Sequence, residues 1–219
     1  MLPPVREKHP DVWIFGEVIH GDYASIVRAS GMDSVTQYEL WKGIWSSIES
    51  RNFFELDHAL GRHNEFSDAF TPMTFVGNHD VTRIASRVGQ DGAVLATAIL
   101  ATIGGIPLIY YGDELAYRGV KEERFGGDDD IRPVFPANPA DLSNLGADTL
   151  RAHQNLLGLR RRHPWLVDAR PETLDLTNER YVYRTGVPGV EPLIVELDVR
   201  DGCSVLIREA GQVVWSSGA

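Results

Sequence analysis

The sequence predicts an α/β protein in which four βα units form a parallel sheet over residues 1–166, followed by a small antiparallel β domain over residues 167–219. Three observations lead there. Short apolar runs alternate with longer helix-period stretches from Asp11 to Leu166, the texture of βα units. Ile106–Tyr111 is apolar without interruption, as suits a strand covered on both faces. Beyond Leu166 the pattern changes to short β-prone runs broken by turn residues.

Taken in order, the first strand is Val12–Phe15, followed by a helix over Tyr23–Ala29 that Gly31 closes as a C′ residue. Ser34–Gln37 is the second strand, with the weakest pattern, and helices follow over Glu39–Glu49 and Phe53–His63. Met73–Val76 is the third, ahead of helices over Val81–Arg87, with Asp80 as N-cap, and over Asp91–Thr102, which Gly104 closes. The fourth strand, Ile106–Tyr111, precedes a helix over Asp148–His163 that Pro164 stops. The later β runs are Arg180–Arg184, Pro192–Val199, Cys203–Ile207 and Val213–Trp215, with Asp201-Gly202 a strong hairpin signal.

Four βα units are half of those a closed (β/α)8 barrel needs, and a whole barrel takes about 250 residues. An open doubly wound sheet is the competing architecture. It lacks support from a glycine-rich phosphate loop: Gly126-Gly127-Asp128-Asp129-Asp130 follows no strand and would repel phosphate.

The formal charge of −10 argues against nucleic acid or an anionic membrane as partner, since both recruit surplus Lys and Arg. A neutral substrate such as a sugar fits better. No apolar stretch reaches the roughly 20 residues of a membrane span, and the charged, Pro-rich stretch Met1–Pro10 is unlike a signal peptide. The single cysteine, Cys203, excludes an intrachain disulfide and a Cys-rich zinc site, so a cytoplasmic location is expected. No cofactor is called for. Asp128–Asp130 offers hard oxygens for calcium but not the spacing of a calcium loop, and a solvated acidic loop is the plainer reading.

In a βα protein chemistry sits at the strand ends, where loops are held by a rigid sheet and free to vary. Here those ends read Gly16-Glu17-Val18-Ile19-His20, Gly77-Asn78-His79-Asp80 and Gly112-Asp113-Glu114. Each carboxylate taken singly reads as a helix cap. Three acidic clusters at three strand ends suit glycosidic bond cleavage, in which one carboxyl donates a proton while another supports an oxocarbenium-like transition state. Trp41 and Trp45, four apart, and Trp13, within a strand, read as packing residues, whereas Tyr23 and Tyr117 stand near strand ends where an aromatic ring stacks on a sugar.

Phe15-Gly16-Glu17-Val18 resembles the acid-donor motif of the alpha-amylase family, and Phe75-Val76-Gly77-Asn78-His79-Asp80 its F-x-x-N-H-D motif. Gly105–Glu114 resembles the strand and loop that follow, and Gly126–Pro136 its D-P-x-x-R-x-P loop, with Arg132 in the arginine position. The resemblance implies a partial (β/α)8 TIM barrel, its last four units standing for strands five to eight, and an oligosaccharide or alpha-glucan substrate. It makes Glu17 the general acid/base and gives Asp80 and His79 transition-state roles, with Asn78, His20, Tyr23, Asp113 and Glu114 as substrate-binding candidates.

The family's nucleophile is an aspartate two residues after an arginine, and no arginine of the 219 residues is followed by that spacing. The nucleophile's strand and the barrel's first half are therefore expected to lie outside this chain. Without them the chain is expected to be inactive alone, because loss of a covalent nucleophile costs orders of magnitude in rate. The outer strands would be open edges, which predicts self-association or pairing with the missing barrel half. A non-catalytic sugar-binding or partner-regulating module built on the same remnant site is the other functional reading.

Overall fold

The computed structural model describes residues 2–142 and 144–217. Ser143 and the outermost residues of the two predicted units therefore lie outside the described residues. Helix α1 spans Leu2–Lys8, strand β1 Phe15–Gly16, α2 Tyr23–Ser30, β2 Ser34–Val35, α3 Tyr38–Glu49, α4 Phe53–Ser67, β3 Met73–Phe75, α5 Ile84–Thr102, β4 Ile106–Leu108 and α6 Ala147–Arg162. The antiparallel strands β5 to β9 are Arg170–Leu176, Arg180–Gly186, Leu193–Asp198, Ser204–Glu209 and Gln212–Ser216.

The parallel strands run in sequence order. Strand β1 pairs with β2, β3 pairs with β4, and a parallel bridge from Thr36 to Met73 joins the two pairs. Successive parallel neighbours joined by helices are an arc of a (β/α)8 barrel, and the C-terminal ends of all four strands face one rim. Among the described residues β1 pairs only with β2, and β4 only with β3. Both outer strands are thus open edges, with Phe15 exposed and Ile106–Leu108 half-buried. Trp13, expected in the core, is 40% exposed and packs on Phe15 at 5.4 Å between ring centroids. A strand at the margin of an open arc has apolar surface on the side where its neighbour would stand.

Helix ends follow local chemistry where the chain is free to choose. Asp22 caps α2 by accepting from the Ser25 N–H, and Gly31 closes it with φ 74°. Asp80 does not cap a helix, as α5 begins only at Ile84. The two helices read from sequence on either side of residue 89 are one element broken at Gly89 (φ 74°, ψ 178°). Its C-terminus is closed not by Gly104 but by a side chain from α6: Arg160 donates to the carbonyls of Ala101, at 3.1 Å, Ile103, at 2.7 Å, and Gly105. Gly104 is needed for another reason, since a Cβ there would lie 2.4 Å from the Ala169 carbonyl.

The C-terminal sheet is a five-stranded meander in the order β5-β6-β7-β8-β9. Strand β5 carries mostly polar, exposed residues and a bulge between Thr173 and Asp175, the dress of a protected edge strand, and it escaped the apolar pattern. Ala210 and Gly211 both take positive φ (48° and 79°), making the two-residue turn between β8 and β9. The sheet shares one apolar core with α3 to α6, reaching from Ile44 and Phe53 through Leu95 and Ile99 to Tyr183, Val195 and Ile207. Inside it the Thr102 and Tyr183 hydroxyls meet at 2.7 Å, so α5 and β6 share a polar contact within the core.

His63 of α4 is fully buried, with Nε2 3.2 Å from the Gly104 carbonyl ahead of β4. Burial lowers its pKa from 6.5 to about 4. Between those values the unfolded chain binds the proton and the folded chain does not. This contribution favours folding fully above pH 6.5 and is lost as pH falls towards 4, by about 3 kcal/mol at most. Denaturant midpoints measured from pH 7 to pH 4 should therefore fall more steeply in the native chain than in His63→Gln. Parallel curves would show that His63 does not carry this dependence.

Candidate active site

The C-terminal ends of the parallel strands place Glu17 after β1, Tyr38 after β2, Asn78 to Asp80 after β3 and Gly112 to Glu114 after β4. A continuous set of hydrogen bonds crosses three of these ends. The Asp80 N–H donates to Asn78 Oδ1 at 2.8 Å, Asn78 Nδ2 donates to the Tyr38 hydroxyl at 2.8 Å, and that hydroxyl donates to Glu17 Oε1 at 2.7 Å. Glu17, Asn78 and Asp80, named from sequence, thus converge on one rim. Tyr38 was missed. Its strand showed the weakest pattern and no carboxylate, and the available signal was only its position directly after Gln37 at a strand end.

Glu17 is exposed apart from that bond, and Asn78 is buried beneath the rim. Tyr38 is buried, held edge-to-face by Trp41 and Phe75 at centroid distances of 5.6 and 4.9 Å. Trp41 and Trp45, on one face of α3, pack as the sequence indicated, with Arg87 lying over the Trp45 ring at 3.9 Å. Burial first, and then the bond to Glu17, raises the pKa of the Tyr38 phenol, so it stays a proton-bearing donor across the working pH range.

Asp80 lies under the loop that follows β4. Lys121 Nζ donates both to its carboxylate and, at 3.1 Å, to its carbonyl, while Arg132 Nη2 stands 3.9 Å from the carboxylate. The ammonium of Lys121 holds the Asp80 carboxyl below its ordinary range and keeps it ionised. Arg132 also donates to the His79 carbonyl at 2.7 Å and pairs with Asp128 at 2.7 Å. The His79 side chain is exposed at the rim, as is His20 on the Glu17 loop.

Three residues expected at substrate are turned inward. Tyr23 is 1% exposed: its ring packs on Phe66 at 5.1 Å in a small core with Val27 and Val35, and its hydroxyl donates to the Ile19 carbonyl at 3.0 Å. It braces the Glu17 loop from beneath and cannot stack on a ligand. Asp113 is buried in an ion pair with Arg83 at 2.9 Å. Glu114 is half-buried, with Oε2 enclosed and its charge acting on His153 of α6. A strand end supplies positions of both kinds, and along the short turn Asp113–Leu115 these two carboxylates face the protein interior.

Asp113 nevertheless governs the site from behind. Its Oδ2 fills the space beside Gly77, where a Cβ would lie 2.1 Å away, so the Asn78–Asp80 turn rests directly on the ion pair. Arg83, wholly buried, also donates to the Tyr111 carbonyl at 2.5 Å and lies over the Tyr110 and Tyr111 rings at 4.2 and 5.0 Å. Burial raises the Asp113 pKa from 3.8 to about 6, against the pull of Arg83. Its pH contribution is opposite in sign to that of His63, being full below pH 3.8 and lost as pH rises through about 6.

Arg83→Met should therefore destabilise the fold by about 3–5 kcal/mol, since it strands a buried carboxylate. Gly77→Ala should leave the fold standing but displace the Asn78–Asp80 turn. Denaturant melts and the backbone amide spectrum of residues 77–80 check both; a Gly77→Ala spectrum unchanged at those residues would contradict the close approach.

Comparison with known proteins agrees with this geometry. Residues 1–170 match the family model described as "Alpha amylase, catalytic domain". The chain is 30% identical over 174 residues to a maltogenic alpha-amylase of Bacillus acidopullulyticus, covering 75% of this chain and 28% of that protein. It is 35% identical over 170 residues to an alpha-amylase of Streptomyces lividans, covering 67% and 18%. Among solved structures, the alpha-amylase of H. orenii superposes with a TM-score of 0.71 at 21% identity, over 89% of this chain and 45% of that one. The ligand-free cyclic alpha-maltosyl-(1→6)-maltose hydrolase of Arthrobacter globiformis gives 0.74 at 19%, over 98% and 50%. The chain thus spans half or less of the solved structures and under a third of the curated relatives it matches here. Sequence motif, strand order and family match agree, and the chain belongs to the alpha-amylase family, its residues 1–170 matching the family's catalytic domain.

Proposed function

We propose that this chain carries the acid half of a retaining alpha-glucosidic active site. The supporting observation is the hydrogen-bonded path that joins Glu17 to Asp80 across the ends of β1, β2 and β3. Glu17 protonates the glycosidic oxygen as the bond breaks, and takes the proton back from the incoming water or hydroxyl acceptor. Asp80 stays ionised and, with the His79 imidazole, binds the hydroxyls of the reacting ring as positive charge develops on it. Asn78 holds the turn. Asp113 pairs with Arg83 under that turn and contributes support rather than a sugar contact.

The substrate class is an alpha-linked glucan or oligosaccharide. Related structures were solved with maltose and with maltotriose. The attacking carboxylate is supplied by a polypeptide bearing the preceding barrel strands, which pairs with the open margins at β1 and β4 and covers Trp13, Phe15, Ile19 and Tyr111, all more than a third exposed. A cytoplasmic location is part of the same reading, and among the described residues no helix is long and apolar enough to cross a membrane.

Alone, the chain should bind maltoheptaose weakly and release no reducing ends from it. Mixed with a polypeptide supplying the first half of a family barrel, including its R-x-D segment, it should gain hydrolysis or transfer activity that Glu17→Gln abolishes. Turnover by the isolated chain, or activity of the mixture that survives Glu17→Gln, overturns the proposal. Binding of maltoheptaose with no activity in the mixture favours the non-catalytic sugar-binding module. Sedimentation should show the isolated chain self-associating through its edges, and a chain that stays monomeric at high concentration contradicts the open-edge reading.

A further inference from the structure

The directions of the three hydrogen bonds across the rim are not free. The backbone N–H of Asp80 can only donate, so the Asn78 atom facing it, at 2.8 Å, is the carbonyl oxygen, and the amide nitrogen is left to face Tyr38. That nitrogen can only donate in turn. The Tyr38 oxygen therefore accepts from Asn78, and its single O–H proton points to Glu17 Oε1 at 2.7 Å. The phenol itself is held in place: Tyr38 is 7% exposed and its ring packs on Trp41 and Phe75.

We propose that Tyr38 is a positioning residue for the Glu17 carboxyl, occupying Oε1 so that the transferable proton resides on Oε2 at the open side of the rim. This rests on the assignment of Glu17 as acid. A carboxyl with both oxygens free presents its proton from either one and rotates between them. Here donation from the Tyr38 hydroxyl to Oε1 favours the proton on Oε2, because the carbonyl oxygen of a carboxyl accepts a hydrogen bond far better than its hydroxyl oxygen does. When Oε2 passes its proton to the leaving oxygen, Glu17 becomes a carboxylate and the bond from Tyr38 becomes charge-assisted, so it strengthens along the reaction. Tyr38 gives up no proton and is unchanged after turnover.

The path also couples the two carboxylates, since Asn78 links the phenol to the Asp80 turn. The charged groups around it are Glu17 and Asp80, which both act on the Tyr38 phenol, and Lys121, His79 and Arg132, which act on Asp80. The protonation state of Glu17 should therefore be felt at the Asn78 side-chain amide, through Tyr38.

The isolated chain tests this without any activity. In 15N-labelled protein, the Asn78 side-chain amide resonances should move as pH is taken from 3 to 8. Glu17→Gln and Tyr38→Phe should each remove the part of that movement due to Glu17, leaving the same residual response from Asp80. Equal responses in the native chain and Tyr38→Phe overturn the proposal, as does a native response that persists in Glu17→Gln. Should Tyr38→Phe fail to fold, as circular dichroism would show, the exposed substitution Glu17→Gln still decides the point. With the complementing barrel half present, Tyr38→Phe should lower kcat about tenfold or more while KM changes little. A rise in KM with kcat unchanged marks a merely structural tyrosine and overturns the proposal. If the mixture has no activity, the assignment of function fails while the amide titration still decides the role of Tyr38.

Discussion

The buried pair of Arg83 and Asp113 is the constraint on which the rim depends. Arg83 opens α5 and Asp113 follows β4, so one ion pair at 2.9 Å ties the end of β3 to the end of β4. Desolvation makes such a pair costly, with Arg83 Nε and Nη2 and Asp113 Oδ2 buried without hydrogen-bond partners, and the Tyr111 carbonyl and the faces of two tyrosine rings offset part of that cost. The gain is position. Asp113 fills the space behind Gly77, so the start of the Asn78–Asp80 turn is backed by the pair.

From that fixed turn the polar connections run outward in two directions. Through Asn78 and Tyr38 they reach Glu17, and through Asp80 and the His79 carbonyl they reach Lys121 and Arg132 on the loop after β4. The first path joins the two carboxylates through a phenol and an amide. The second keeps Asp80 ionised and gathers the long loop over the same rim, so that each carboxylate is given a different environment. A pair of carboxyls set apart in this way is the usual requirement for splitting proton donation from charge stabilisation.

The same architecture that orders the rim leaves the sheet unfinished. Four parallel strands in sequence order curve as part of a barrel, and the margins at β1 and β4 present backbone and aromatic side chains to solvent. Elsewhere the chain satisfies itself: Arg160 closes α5, and the antiparallel sheet buries its inner face against α3 to α6. The helical layer and the meander thus form a consistent core beneath a rim open on both sides.

Sequence by itself determined the four βα units in their order, the break near Gly89, the antiparallel tail from β6 onward and the two motifs that bring Glu17 and Asp80 to strand ends. These are local properties of apolar period and turn chemistry, and a family's motif preserves them in its letters. Edge strand β5 was illegible because its polar residues pack little surface, and Tyr38 because a tyrosine after a weak strand looks like any other core aromatic. Only the tertiary structure decided which strand-end residues face outward. Tyr23, Asp113 and Glu114 carry the side chains of a sugar site, yet each is turned inward by what surrounds it, Phe66 for the ring, Arg83 for one carboxylate and α6 for the other. A residue's type fixes what it can bind, and the direction of its side chain depends on partners far away in sequence.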